Sequence, residues 1–352
     1  MRTGRPEVNL PSLFPGGQFK SGFFARSTRA GANSSNWRVV TLAFVLAAGP
    51  RVSRADQGWE GQSLQFTWEN DATTGSDRHY TQGAKIRYWS SDSAAPGWLE
   101  GLSQGIPTPG FQAAGLKFGL EVGQEIYTPE DLDATEPIRN DRPYAGWFYA
   151  AALLQRRGPG PADIPVMEKL RLDLGVIGPE SYAAETQKIW HGRDPKGWDN
   201  QLKTEVGFAL RYERSYLFRF RRNRWDADLL PSLNASLGSV DTHFGASATG
   251  RFGYNIPNEY EAPGKKTPKE FGAYAFVTTD GRFVLRNIFL DGNTWRSSHS
   301  VHKVPLVAHI SAGITLVLKS VELTASQTYV TQEFHGQHRP DSFGSVTVSF
   351  KF

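Results

Sequence analysis

The stretch Leu116-Lys117-Phe118-Gly119-Leu120-Glu121-Val122-Gly123 carries an apolar residue at every second position, and this alternation decides the fold class. It recurs in residues 64–69 (LQFTWE) and 170–176 (LRLDLGV). Successive side chains of a strand point to opposite faces, so each segment predicts a strand with one apolar and one polar face. A soluble sandwich and a membrane barrel share that pattern. The alternation therefore predicts an all-β protein and leaves its environment open.

Both ends of the chain favour a transmembrane antiparallel β-barrel over a sandwich. Near the start, Arg38 precedes the apolar residues 39–48 and the small-x-small sequence Ser53-Arg54-Ala55, which is the pattern of a secretory signal. The apolar run is too short to span a bilayer as a helix. At the other end the alternating segment 346–352 stops on Phe352, like the terminal strands of bacterial outer-membrane proteins. We therefore expect residues 1–55 to be an export segment and residues 56–352 to form an outer-membrane barrel; the alternatives are a short buried helix at 39–48 and a true start further into the chain.

Composition excludes several classes of protein. The 352 residues include no cysteine, which excludes disulfide scaffolds and thiolate chemistry. The formal charge of +4 comes from the N-terminal segment, since residues 1–55 hold eight basic residues and one acidic residue, leaving 31 basic and 34 acidic residues, a net of −3, in the remainder. We therefore expect no nucleic-acid partner. The Trp and Tyr residues suit the aromatic girdles of a barrel in contact with membrane lipids.

The alternating segments number thirteen, and single-chain bacterial barrels have even numbers of strands. Residues 271–290 are interpreted as one long strand kinked at Asp280-Gly281, which gives about twelve strands. Strand parity then places six connections on the rim opposite the termini. These are residues 70–79, 126–143, 177–202, 240–242, 291–305 and 335–343.

The connection 177–202 contains the one convincing helix of the sequence, residues 181–191, with Ser181 as its N-cap and Gly192 after its last turn. Gln187 and His191 are four residues apart and share a helix face. The negative end of the helix dipole favours an imidazolium at His191, which suits a histidine that takes a proton from water. The alternative is an exposed histidine at a helix end.

Several other motifs on the chain could contribute to chemistry. Asn70-Asp71 follows a strand and most often would form a turn, yet carboxylate, hydroxyl and carbonyl oxygens are the ligands that calcium prefers. Asp141-Arg142-Pro143-Tyr144 is interpreted as a structural turn. The remaining histidines show no zinc-ligand spacing. Residues 101–105 (GLSQG) match the nucleophile elbow of soluble hydrolases, but no α/β rhythm surrounds them, so we expect a turn on the terminal rim.

An ordered set of motifs resembles the lipid A 3′-O-deacylase family of outer-membrane barrels. The resemblance extends loosely over residues 62–352. The motifs are Glu69–Asp71, Tyr80–Gly83, Gln124–Pro129, Asp141–Trp147, Gly175–Pro179, Gln187–His191 and Gly197–Leu202.

The resemblance implies a twelve-stranded barrel with a calcium-dependent site between the barrel wall and a short helix at the outer rim. It implies that His191 is the general base and that Gln187 orients it or the substrate. Asn70, Asp71 and Thr81 would hold calcium on the oxyanion side.

Two family features differ here. The lysine after the Tyr-x-Pro segment has no match, because Glu130, Asp131 and Asp133 occupy that region. An acidic residue after the histidine is displaced, which leaves Asp194 in its place.

The predicted activity is hydrolysis of the 3′-linked acyl or acyloxyacyl ester of lipid A in lipopolysaccharide, by a monomer that binds Ca²⁺. Two alternatives remain open at this stage. One is a phospholipase-type outer-membrane esterase with the same histidine and calcium. The other is a non-enzymatic barrel, such as a pore, in which the rim motifs only order the loops.

Overall fold

The described part of the chain forms twelve antiparallel strands. The computed structural model describes residues 61–71, 78–92, 94–191, 195–260 and 271–352, with only the backbone of residues 190–191. The strands are β1 (Ser63–Asn70), β2 (His79–Trp89), β3 (Gly115–Thr128), β4 (Ala145–Pro159), β5 (Pro165–Ile177), β6 (Glu205–Tyr216, continued by Phe218–Arg222), β7 (Trp225–Gly238), β8 (Asp241–Tyr254), β9 (Phe271–Asn287), β10 (Leu306–Leu318), β11 (Val321–Val330) and β12 (Asp341–Lys351).

The strands close into a barrel, as predicted. Each strand pairs with its neighbours in the sequence, and β1 pairs with β12 through the register Phe66↔Val348. Both segments of β6 pair with β7, so the break at Leu217 interrupts one strand and does not create a thirteenth. Residues 1–55 and the predicted boundary after them lie outside the described residues.

The predicted merger of residues 271–290 is confirmed in part. Residues 271–287 form the single strand β9, and the helix Ile288–Asp291 follows. The predicted kink at Asp280-Gly281 is wrong, because Asp280 pairs regularly with both Ser247 and His309. The irregularity lies further on, between Val284 and Arg286, where the pairing with β8 shifts its register.

The two faces of the wall identify the environment that the alternation left open. Leu120 is 57% exposed on the outer face, whereas the adjacent Glu121 is 2% exposed inside the barrel. Leu172 and Leu174 point outward in the same way on either side of the buried Asp173. An apolar outside around a charged inside is the reverse of a soluble sandwich and suits a barrel in lipid.

The barrel interior is filled with paired charges and, at the outer end, with aromatic rings. Glu121 accepts hydrogen bonds from Arg87 Nε at 2.5 Å, Arg171 Nη2 at 2.8 Å and Tyr149 Oη at 2.9 Å. At the outer end, Phe289 stacks on the inward ring of Tyr127 with centroids 4.0 Å apart. The short helix after β9 therefore packs into the mouth of the barrel.

The connections between strands lie on the two rims as the strand order predicts. The six predicted connections share one rim. The turn at Lys319-Ser320 lies at the other rim, beside the start of the first strand and the end of the last one. There, Lys351 N donates to Ser320 O and Phe352 N donates to Gln62 O. Exposed aromatic residues gather near that terminal rim, including Trp225, whose ring centroid lies 5.5 Å from that of Phe252. They form part of the expected girdle.

The connection between β2 and β3 differs from its prediction. Residues 97–105 form helix α1 (Gly97–Gly105), so the GLSQG segment is helical, not a turn. Arg156 Nη1 donates to the carbonyl oxygens of Ser103 and Ile106, which ties this helix to the terminal end of the barrel. No helix in the described part of the chain has the length and apolar character needed to cross a membrane.

Candidate functional site

Strand pairing brings together three of the predicted site residues. Asn70, the last residue of β1, pairs with Gln82 of β2. Thr81 is the extra residue of a bulge, because Tyr80 pairs with Tyr127 and Gln82 pairs with Ile126. Its hydroxyl lies 2.8 Å from that of Thr128. Asp71 follows Asn70 directly, so Asn70, Asp71 and Thr81 meet at the outer end of β1 and β2, and all three are buried.

This cluster belongs to the outer face of the wall. Trp68 is exposed on the outside and the partly buried Glu69 lies inside, so Asn70 points outward. Ile126 also points outward, since Leu120 and Val122 on the same strand do. Yet Asn70 and Ile126 are almost inaccessible to solvent. Ile126 is covered by a helix that lies against the outside of the barrel.

That covering helix is α2 (Ala183–His191), which the sequence predicted with a different start. Ala183 packs in a cluster with Ile126, Tyr144 and Trp198, and Gln124 Nε2 donates to Ser181 O at 2.6 Å. Ser181 is not the N-cap. Its hydroxyl donates to Gly178 O, and the left-handed residue Tyr182 precedes the helix. The predicted C-terminal Gly192 lies outside the described residues.

Gly146 allows α2 to approach the wall. It pairs with Ile126 across β3 and β4. A Cβ atom at this position would lie 2.1 Å from Ser181 Oγ and 2.2 Å from Ala183 Cβ. Only a residue without a side chain fits there.

Gln187 lies one turn after Ala183 on the same helix face and is fully buried. Its Oε1 accepts a hydrogen bond from Trp198 Nε1 at 2.8 Å. His191 ends the helix, which confirms its predicted place in the last turn. Its side chain and the whole of Asp194 lie outside what the structure describes, so their predicted roles stay predictions.

Asp71 is oriented by Arg78, which was not a predicted site residue. The backbone NH of Arg78 donates to Asp71 Oδ2 at 2.5 Å. The Arg78 side chain is held by Glu130 at 2.6 Å and by Asp341 at 3.2 Å. Glu130, one of the residues in place of the family lysine, thus supports the segment that positions Asp71.

His79 continues this support. Its Nδ1 lies 2.7 Å from Asp341 Oδ2 and its Nε2 lies 3.3 Å from Asp141 Oδ1, in an almost fully buried position. Carboxylates only accept hydrogen bonds, so a doubly protonated ring satisfies both contacts. We call His79, Asp141 and Asp341 the buried histidine cluster.

Asp141 shows the electrostatic effect of this cluster. Burial alone would raise the pKa of Asp141, but the hydrogen bonds from His79 and from the backbone NH of Glu130 lower that pKa below its usual value. The interpretation of residues 141–144 as a structural turn is therefore incomplete, because Asp141 also joins three loops of the rim. A histidine beside a charged pair, as in Asp77-Arg78-His79, was the one available signal in the sequence.

The chemistry of the donors agrees with a hard cation. Asn70, Asp71 and Thr81 offer amide, carboxylate and hydroxyl oxygens, and Gln82 Oε1 is buried with no hydrogen-bond partner among the described residues. Within the same residues, no three His, Asp or Glu side chains converge as a metal site. Oxygen donors of this kind fit calcium in type, with one carboxylate among them.

The family match and one of two solved structures compared with this chain agree with this architecture. Residues 39–352 match the family described as "Outer membrane protein LpxR". Among solved structures, LpxR from Salmonella typhimurium shares 21% identity over 82% of this chain and 100% of that chain, with a TM-score of 0.65. The β domain of the Bordetella autotransporter BrkA shares 15% identity over 83% of this chain and 100% of that chain, with a TM-score of 0.41. A search of curated proteins gave no match.

Proposed function

The chain belongs to the family of the outer membrane protein LpxR, and from this premise we propose that it hydrolyses the 3′-linked acyl or acyloxyacyl ester of lipid A with the help of calcium. Family membership places the protein in the bacterial outer membrane and supports lipid A deacylation as its activity. The 3′ position, the metal, the catalytic base and action as a monomer are the finer parts of the proposal.

One observation carries the proposal: Asn70, Asp71 and Thr81 lie on the outside of the barrel wall, at the outer rim, and Gln187 lies on the helix α2 that covers this part of the wall. A soluble substrate of a pore would meet the inside of the barrel, whereas this cluster faces the lipid side. Lipid A is anchored by acyl chains in the outer leaflet, so its ester bonds can approach the cluster from within the membrane plane. The position supports a lipid substrate.

Asn70, Asp71 and Thr81 would hold the calcium ion, with Arg78 and the buried histidine cluster fixing the Asp71 carboxylate. When bound, calcium would supply positive charge where negative charge develops on the acyl carbonyl oxygen. The protein's own contribution is the rigid presentation of these oxygens. The bulge at Thr81 supports this role, because it places an extra hydroxyl beside Asn70.

His191 acts as the general base of the reaction. It takes a proton from a water molecule, whose oxygen attacks the acyl carbonyl, and it returns the proton to the departing lipid A oxygen. The products are a free carboxylic acid and lipid A with a hydroxyl group at that position. The last turn of α2 favours the protonated form of His191 during this transfer. Gln187, one turn earlier, orients the reacting groups.

Mass spectrometry of lipid A from cells with and without the protein tests the substrate. We expect a mass loss equal to the 3′-linked chain only in cells that produce the protein. Glycerophospholipid hydrolysis with unchanged lipid A would instead select the phospholipase-type esterase.

Removal of calcium tests the metal. Because the candidate ligands are hard oxygens, we expect excess chelator to abolish deacylation by the purified protein in detergent, and added Ca²⁺ to restore it where Zn²⁺ does not. Full activity in excess chelator would refute the role of the metal.

A further inference from the structure

Trp198 contacts α2 directly and belongs to the short 3₁₀ helix Trp198–Asn200. Its ring is buried against Tyr144, with centroids 4.9 Å apart, and packs in the cluster that contains Ala183 and Ile126. Its one polar atom, Nε1, donates to Gln187 Oε1 at 2.8 Å. Trp198 thus links the segment that follows α2 to Gln187, a residue of the proposed site.

This hydrogen bond fixes the orientation of the Gln187 side-chain amide, with its oxygen toward Trp198. An indole NH can only donate, so it requires the carbonyl oxygen of Gln187 and excludes the NH₂ group. The amide therefore cannot turn over without losing the bond. Its Nε2 group is left as a donor pointing away from Trp198.

This remaining donor is buried and has no hydrogen-bond partner in the described part of the chain. Gln187 is fully buried, and among the described residues none accepts a hydrogen bond from its Nε2. A buried donor without a partner costs about 1–3 kcal/mol. That cost is offset when a ligand supplies an acceptor at this position.

The position of Gln187 indicates where that acceptor would lie. Gln187 shares its helix face with Ala183, which packs on Ile126 of the wall. Ile126 pairs with Gln82, and Gln82 pairs with Asn70. The helix face that carries Gln187 thus packs on the wall beside the strands that hold the proposed calcium ligands.

We infer that Trp198 is a positioning residue for the reaction: its indole NH holds Gln187 so that Nε2 donates to an oxygen acceptor of the reacting ester or its attacking water. This inference rests on the proposed function. It assigns Trp198 a part in catalysis without contact to the substrate, and it gives Gln187 one defined polarity.

The variant Trp198→Phe tests the inference in the full-length protein with calcium and lipid A. Phenylalanine keeps the ring against Tyr144 but removes the donor. We expect kcat to fall about 2- to 10-fold, the effect of one neutral hydrogen bond, with KM little changed; the melting temperature falls somewhat, because Gln187 Oε1 loses its donor, but the barrel stays folded. Trp147→Phe is the matched control, because Trp147 is a buried indole inside the barrel whose Nε1 has no partner among the described residues; its kcat should stay at the wild-type value.

A double-mutant cycle with Gln187→Leu separates positioning from packing. If Trp198 acts through Gln187, Trp198→Phe causes no further loss of kcat once Gln187 is leucine. Equal losses in both backgrounds would overturn the inference. The indole NH resonance of Trp198, assigned by its loss in Trp198→Phe, should also shift in Gln187→Leu. This readout needs no activity, so it separates failure of the inference from failure of wild-type protein to deacylate lipid A, which would refute the proposed function.

Discussion

In the proposed reaction His191 is the one general base. Glutamine keeps polarity at that position but cannot take a proton from water, so we expect His191→Gln to lose about 10²–10⁴-fold in rate while the barrel stays folded. Deacylation by purified protein in detergent with calcium measures this. The matched control is His302→Gln, which changes an exposed histidine on the same rim and should retain activity. A near wild-type rate for His191→Gln would place the base elsewhere.

The buried histidine cluster makes a prediction about acid stability. The pKa of Asp141 is lowered in the folded protein, so its contribution to stability is complete above the ordinary aspartate pKa and is lost as pH falls through the lowered value. We expect the melting temperature to drop as pH falls below about 4. Asp141→Asn should lower the melting temperature at neutral pH by the loss of about 1–3 kcal/mol and should flatten this part of the pH dependence. An unchanged acid profile in Asp141→Asn would contradict the assignment.

The residues of this cluster show the limit of prediction at the residue scale. Asn70, Asp71 and Gln187 occur in short motifs that can be matched by eye. His79 and Asp341, by contrast, are 262 positions apart in the sequence, and their contact arises only because β1 closes the barrel against β12. Local sequence contains no information about that partner. The same applies to Trp198 and Gln187, which meet only after the chain turns back from α2.

At the scale of elements, the contact between α2 and the wall depends on Gly146. A methyl group there would overlap Ser181 and Ala183, so we expect Gly146→Ala to push α2 outward. Overpacking of this kind costs about 1–3 kcal/mol, and a displacement of about 1 Å at a site can cost about 10²-fold in rate. Deacylation rate and melting temperature measure the two effects. Gly250→Ala is the control, because an added Cβ at Gly250 in β8 meets open space; equal behaviour of the two variants would show that α2 does not need this approach.

The predicted elements succeeded or failed for identifiable reasons. The strands follow from alternation, since each position in a barrel wall faces either lipid or the charged interior. The sequence predicts helix α2 but not the residue at which it starts. Tyr182, just before the helix, adopts a left-handed conformation, which is rare for tyrosine and is not indicated by the sequence. Helix α1 was predicted as a turn. Its glycines at 97, 101 and 105 lower helix propensity, and tertiary contacts from Arg156 to its carbonyl oxygens stabilise it.

At the scale of the whole molecule, the inside and the outside of the barrel have separate roles. The inside is crossed by buried ion pairs such as Arg171–Glu121 and Arg156–Glu168, which join strands and fill space. The predicted site residues Asn70 and Gln187 belong to the outside. The alternation of apolar and polar residues predicts the two faces of the wall. It does not predict which face holds the site, because that depends on the bulge at Thr81 and on the position of α2.

This separation predicts that the protein does not behave as a pore. Phe289 and the neighbouring Ile288 and Leu290 are buried at the outer mouth, where Phe289 stacks on Tyr127 and Arg142 lies 4.9 Å from the same ring. Below them, the charges of the interior are paired across strands. We therefore expect purified protein in planar bilayers to show no steady porin-like conductance, and Phe289→Ala to increase transient openings without changing the deacylation rate, because the site lies on the other face of the wall. A stable wild-type channel would contradict the closed mouth and would favour the non-enzymatic alternative, whereas loss of deacylation in Phe289→Ala would show that the packing of the mouth also supports the site.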